Sequence, residues 1–104
     1  MSIEPWDPHR DGALSKAGMC RKLELRGYRC AIHVYPPGTQ FPDHAHAVDK
    51  IDAVLSGQFR ITLDGVAHDL HPGDCLHVPR GTIHNAAVIG SQPVVSIDAI
   101  GSST

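Results

Sequence analysis

The chain has 104 residues, 41% hydrophobic and 19% charged, with a formal net charge of −2. That composition suits one globular domain with a modest core. No run of Lys or Arg exceeds two residues, so a nucleic-acid partner is not expected, and no run of 18 apolar residues exists to span a membrane. Residues 1–13, with Pro5, Pro8 and Gly12, read as an extended arm that Trp6 docks onto the body or onto a neighbouring subunit. Residues 15–26 read as the one helix. Ser15 suits its N-cap, Met19 and Leu23 share a face, and Gly27 suits the left-handed position past its end.

From Tyr28 the pattern changes to short strands punctuated by turn residues. They are expected over 28–35, 50–55, 59–63, 66–70, 75–78, 85–89 and 94–100. Phe59, Ile61 and Leu63 alternate with Arg60 and Thr62, as in a half-buried strand, and Asp64-Gly65 is a two-residue hairpin signal. Seven or eight strands at this spacing mean a small all-β sandwich or barrel. One domain over 1–104 suffices, with arm and helix in 1–27 and the barrel in 28–100.

Cys20, Cys30 and Cys75 are odd in number and irregularly spaced, which points to buried, reduced thiols and a cytoplasmic protein. The N-terminus lacks a basic stretch followed by an apolar one, so a signal peptide is not expected.

Histidine is unusually frequent, at eight residues. His44 and His46 are one residue apart, and in a strand such side chains share a face, so both imidazoles can reach one ion. His84 follows the tight turn Pro79-Arg80-Gly81-Thr82-Ile83. Imidazole suits Fe, Zn, Ni, Mn or Cu, and three such ligands leave a coordination position open. Spacing alone leaves the alternative of two solvated histidines open. His33 reads as structural rather than cavity-lining. Leu76 and Val78 read as core, which turns Cys75 and His77 the other way, toward a subunit contact.

The two histidine segments carry a resemblance. Gly38, five residues, His44-Ala45-His46, three residues, Lys50, six residues and Gly57 follow the first motif of the cupin superfamily. Gly73, five residues, Pro79-Arg80-Gly81, two residues and His84 follow its second, and 15 residues separate Gly57 from Gly73. The resemblance implies a cupin fold, the double-stranded β-helix or jelly-roll barrel, over residues 28–100. It also implies one divalent transition metal held by His44, His46 and His84. The sequence departs from the pattern at Lys50, where the family has a glutamate ligand, and at Val88, where it has asparagine. The site then resembles the three-histidine cupins such as acetylacetone dioxygenase and cysteine dioxygenase.

Lys50, Asp52 and Val54 alternate and should point inward together. Lys50 and Asp52 are the candidate catalytic pair. Three roles stay open: a buried ion pair that only fills the barrel, a lysine that holds an anionic substrate, or a slipped register in which Asp49 or Asp52 ligates the metal. The resemblance implies a small-molecule enzyme, dioxygenase-like or a lyase or isomerase, on a small anionic or oxygenated substrate. The alternative is a non-catalytic ligand-binding or structural module. A homodimer is expected, by resemblance and from the arm.

Overall fold

The computed structural model describes residues 2–101. The chain runs β1 (Ile3–Glu4), α1 (Pro8–Asp11), α2 (Lys16–Glu24), β2 (Arg29–Tyr35), β3 (Gln40–His44), β4 (Lys50–Ser56), β5 (Gln58–Leu63), β6 (Val66–Leu70), β7 (Cys75–Val78), β8 (His84–Ile89) and β9 (Val94–Ile100). Two antiparallel sheets form, ordered β1-β7-β4-β9-β2 and β3-β8-β5-β6. Their shared interior is filled by Val54, Phe59, Ile61, Leu63, Leu70, Leu76, Val78, Val88 and Val94. This is a jelly-roll barrel of the cupin kind.

The arm is not simply extended. Ile3 and Glu4 pair with Leu76 and Cys75 at the edge of the larger sheet. Asp7 then caps the short helix α1 by accepting the His9 N–H, with Pro8 at the first helical position. Trp6 docks onto the body of its own chain. Its Nε1 donates to the Gly12 carbonyl at 2.7 Å, and the Lys22 ammonium sits 5.1 Å from its ring.

Helix α2 follows from its ends and one face. Ser15 accepts the Gly18 N–H, and at the other end Gly27 takes φ 92° while its N–H bonds the Glu24 carbonyl. Met19 and Leu23 are fully buried against Ile51, Ala53, Ile97 and Ala99 on the outer face of the larger sheet. Strands β4 and β9 are therefore covered on both faces. Cys75 points away from Leu76 and Val78, as parity requires, but into this second core with its Sγ 3.5 Å from Met19 Sδ. It is not left over for a subunit contact, because the helix occupies that face.

Two local features position the site. Asp64 and Gly65 both take positive φ, 47° and 85°, and close the β5–β6 hairpin with Leu63 opposite Val66. Strand β3, not expected as a separate strand, contains Pro42. It is tolerated because β3 is an edge of its sheet, where a missing N–H breaks no inner ladder. No helix among the described residues is long and apolar enough to cross a membrane.

Candidate metal centre

β3 and β8 pair with His44 opposite His84, so two of the three histidines are direct cross-strand neighbours. His46 lies beyond the end of β3, which makes its approach a property of the loop and not of strand alternation. The loop is laced to the turn ahead of β8. The His46 carbonyl accepts the Gly81 N–H at 2.9 Å, and Asp49 Oδ1 accepts the Arg80 N–H at 2.8 Å. The Asp49 carbonyl also accepts the Gly101 N–H at 2.7 Å, which ties the start of β4 to the end of β9.

These constraints bring the three rings together. Centroids lie 4.2 Å apart for His44 and His84, 4.8 Å for His44 and His46, and 5.1 Å for His46 and His84. One ligand atom from each falls within 4.8 Å of the others, a grouping that could hold one metal ion. Nδ1 of His44 donates to the Pro42 carbonyl at 2.7 Å, and Nδ1 of His84 to the Thr82 carbonyl at 2.9 Å. A donor hydrogen on each Nδ1 leaves Nε2 with a free lone pair, the tautomer a metal requires. Nε2 of His46 is buried with no hydrogen-bond partner. A buried nitrogen left unpaired is costly unless something else uses its lone pair, so this donor set fits a divalent cation. Burial, reinforced by the positive charge of Lys50, holds the His46 imidazole below its ordinary pKa. Burial also lowers that of His84, against its bond to Thr82. Burial thus favours the neutral form of both rings, the form a ligand must have.

The rings open onto a cavity of about 280 Å³, also lined by His33, Tyr35, Phe41, Lys50, Asp52, Phe59, Ala86 and Asp98. Lys50 and Asp52 point inward as alternation required, since Val54 is buried in the barrel interior. Lys50, however, pairs with Asp98. Its Nζ is 2.5 Å from Asp98 Oδ1 and 4.0 Å from Asp52 Oδ1. Asp52 and Asp98 face each other across the β4–β9 ladder. Burial pushes the Asp52 carboxyl well above its usual range, and the neighbouring Asp98 adds to the rise. Burial also acts upward on Asp98, but its contacts with Lys50 and Asp52 prevail and hold it low. The floor therefore has one ammonium, one firm carboxylate and one carboxyl that keeps its proton readily.

Asp98 is the residue that the sequence reading missed. Its signal was a lone carboxylate in the apolar run Val94–Ile100, at the inward parity of Val94 and Ser96. His33 lines the cavity rather than serving only as filler, stacked on Tyr35 at 5.9 Å and 3.9 Å from Asp98. Tyr35, Phe41 and Phe59 make an aromatic wall, with burial pushing the Tyr35 hydroxyl up to about 12. Asp49 does not line the cavity; it accepts the Arg80 N–H and lies 3.9 Å from His77.

Comparison with known proteins agrees with this geometry. The chain is 31% identical to Germin-like protein 9-3 of Oryza sativa subsp. japonica over 104 aligned positions, 92% of this chain and 49% of that protein. It spans about half the length of the two germin-like relatives it matches, at 49% and 46%. A cupin protein from Bacteroides fragilis superposes with a TM-score of 0.65 at 26% identity, covering 73% of this chain and 66% of the other. A variant of the salicylate 1,2-dioxygenase from Pseudoaminobacter salicylatoxidans shares the fold, with a TM-score of 0.66 at 23% identity over 71% of this chain and 22% of that one. The cupin domain family itself matches residues 31–100, a stretch that holds all three clustered imidazoles and the Lys50–Asp98 pair, and the chain belongs to that family.

Proposed function

We propose that the chain is a metal-dependent cupin enzyme for a small oxygenated or anionic molecule bound in the barrel mouth. The observation that carries this is the trio of imidazoles converging at one point of a cavity, with the buried Nε2 of His46 unpaired. His44, His46 and His84 would hold one divalent ion, of Fe, Zn, Ni, Mn or Cu. Such an ion supplies a Lewis acid, or with iron an oxygen-activating centre. Lys50 stands where the family pattern has its glutamate ligand, and a protonated amine cannot ligate. The site is then a three-histidine one, with coordination positions left for substrate.

The protein's own residues define what enters. Tyr35, Phe41 and Phe59 exclude water from one side and offer an apolar face. Asp52, holding a proton beside Asp98, can pass it to or take it from a bound oxygen. Lys50 orients the carboxylates and presents positive charge to the same space. A second reading is a non-catalytic ligand-binding module. It is favoured by the engagement of Lys50 with Asp98, which leaves the ammonium less available to a substrate.

Oxygen uptake by iron(II)-loaded protein with a panel of β-diketones and small keto acids tests the enzyme reading. Turnover with at least one compound, lost in His84→Ala, is expected. Tight binding of a panel compound without any consumption would favour the second reading instead.

A further inference from the structure

The fold brings together two cysteines that their spacing in the chain sets apart. Cys20 lies on α2 and Cys30 on β2, both packed against the core beneath the helix. The Cys30 thiol lies 3.8 Å from the Cys20 carbonyl, which places the two thiols near enough to act on one another. Both residues are half-buried, whereas Cys75 is buried beside Met19. The odd count therefore resolves into one adjacent pair and one sequestered thiol.

We propose that Cys20 and Cys30 are a peroxide-sensitive modification site that closes to an intramolecular disulfide, locking α2 to the outermost strand of the five-stranded sheet. The chemistry balances with hydrogen peroxide as the oxidant. The Cys20 sulfur attacks one peroxide oxygen, the O–O bond breaks, and a sulfenic acid and one water result. The Cys30 sulfur then attacks the Cys20 sulfur, the S–O bond breaks, the S–S bond forms and a second water leaves with the remaining thiol proton. Burial pushes the Cys30 thiol up to about 12, so it is the slower, resolving partner, and closure quickens as pH rises. Strand β2 carries His33 and Tyr35 on its other face, toward the cavity. The lock therefore fixes one wall of the candidate site without touching the histidine trio.

The test is peptide mapping of the whole chain by mass spectrometry after hydrogen peroxide, with alkylation of the remaining thiols. The expected result is one peptide pair joined through Cys20 and Cys30, a mass loss of about 2 Da, one alkylated cysteine, and reversal by dithiothreitol. The oxidised protein should also melt several degrees higher than the reduced one. Cys75→Ser should leave the link intact, and Cys20→Ser should abolish it. Oxidation that stops at an unlinked acid on Cys20, a crosslink between chains, or three thiols still alkylated would overturn the proposal. The wild-type map decides this even if a variant folds poorly.

Discussion

At the scale of single residues, the site is set by which nitrogen of each ring is spoken for. His44 and His84 spend Nδ1 on backbone carbonyls, and His46 keeps a buried Nε2 without a partner. Burial holds His46 and His84 below their ordinary value of 6.5. Linkage then fixes the sign. The unfolded chain takes up protons at these rings first, so their contribution to stability is whole above pH 6.5 and is lost as pH falls through that value toward the lower folded one. Urea titrations of metal-free protein should show stability declining below about pH 6.5, and a His46→Gln, His84→Gln double variant should flatten that decline. An unchanged slope would mean the rings are not desolvated. A second residue-scale prediction concerns Gly57, at φ 84°, where an added Cβ would strike the Pro93 carbonyl. Gly57→Ala should cost roughly 2–4 kcal/mol in a denaturation midpoint, since strain and a backbone clash combine.

Elements determine which residues the sequence could announce. Alternation within β4 showed that Lys50, Asp52 and Val54 share the inward face, because period-two geometry is local. It could not show Asp98, because the β4–β9 register sets it opposite Asp52, 46 positions away in the chain. The charge partner of Lys50 is thus a product of sheet topology. Lys50→Met should leave the buried Asp98 carboxylate unpaired and lower stability by roughly 3 kcal/mol. Adding Asp98→Asn should recover most of that loss, and a double-mutant cycle of unfolding energies measures the coupling. Additive losses would place the lysine elsewhere. The edge strand β3 was obscured by Pro42, and the helix α1 by two prolines, although Asp7 ahead of Pro8 was a legible cap.

The arm is held by another pairing between elements. Glu4 of β1 takes two hydrogen bonds from Arg26, at 2.8 and 2.6 Å, and lies 3.3 Å from Lys22. The Arg26 guanidinium, then Lys22, hold its carboxyl down at about 2, against burial. A depressed acid contributes stability above its unfolded value and loses it on acidification. Glu4→Gln should therefore cost about 1 kcal/mol at pH 7, solvent screening included. The difference should vanish as pH falls from 4.5 through about 2. A gap between the two proteins that persists at pH 2 would contradict the clasp.

For the whole molecule, the jelly roll was legible because each strand carries its own punctuation. Strands 66–70, 75–78 and 94–100 occur with the bounds that turn residues suggested. What punctuation cannot convey is layering. The chain builds a second core, with α2 laid over β4 and β9, and this buries Cys75 under the helix where single-strand parity suggested a subunit contact. The convergence of the histidines is likewise global. His46 sits outside its strand, and the bonds from its loop to Gly81, Arg80 and Gly101 help hold it beside His84.

That convergence is tested most directly by metal stoichiometry. Protein stripped with a chelator and re-equilibrated with zinc should retain one ion per chain by elemental analysis at pH 7.5. His44→Ala, His46→Ala and His84→Ala should each weaken retention more than about 100-fold, while the fold, followed by circular dichroism, persists. A stripped protein that takes up no ion, or a His84→Ala variant that holds zinc as tightly as the parent, would contradict the account.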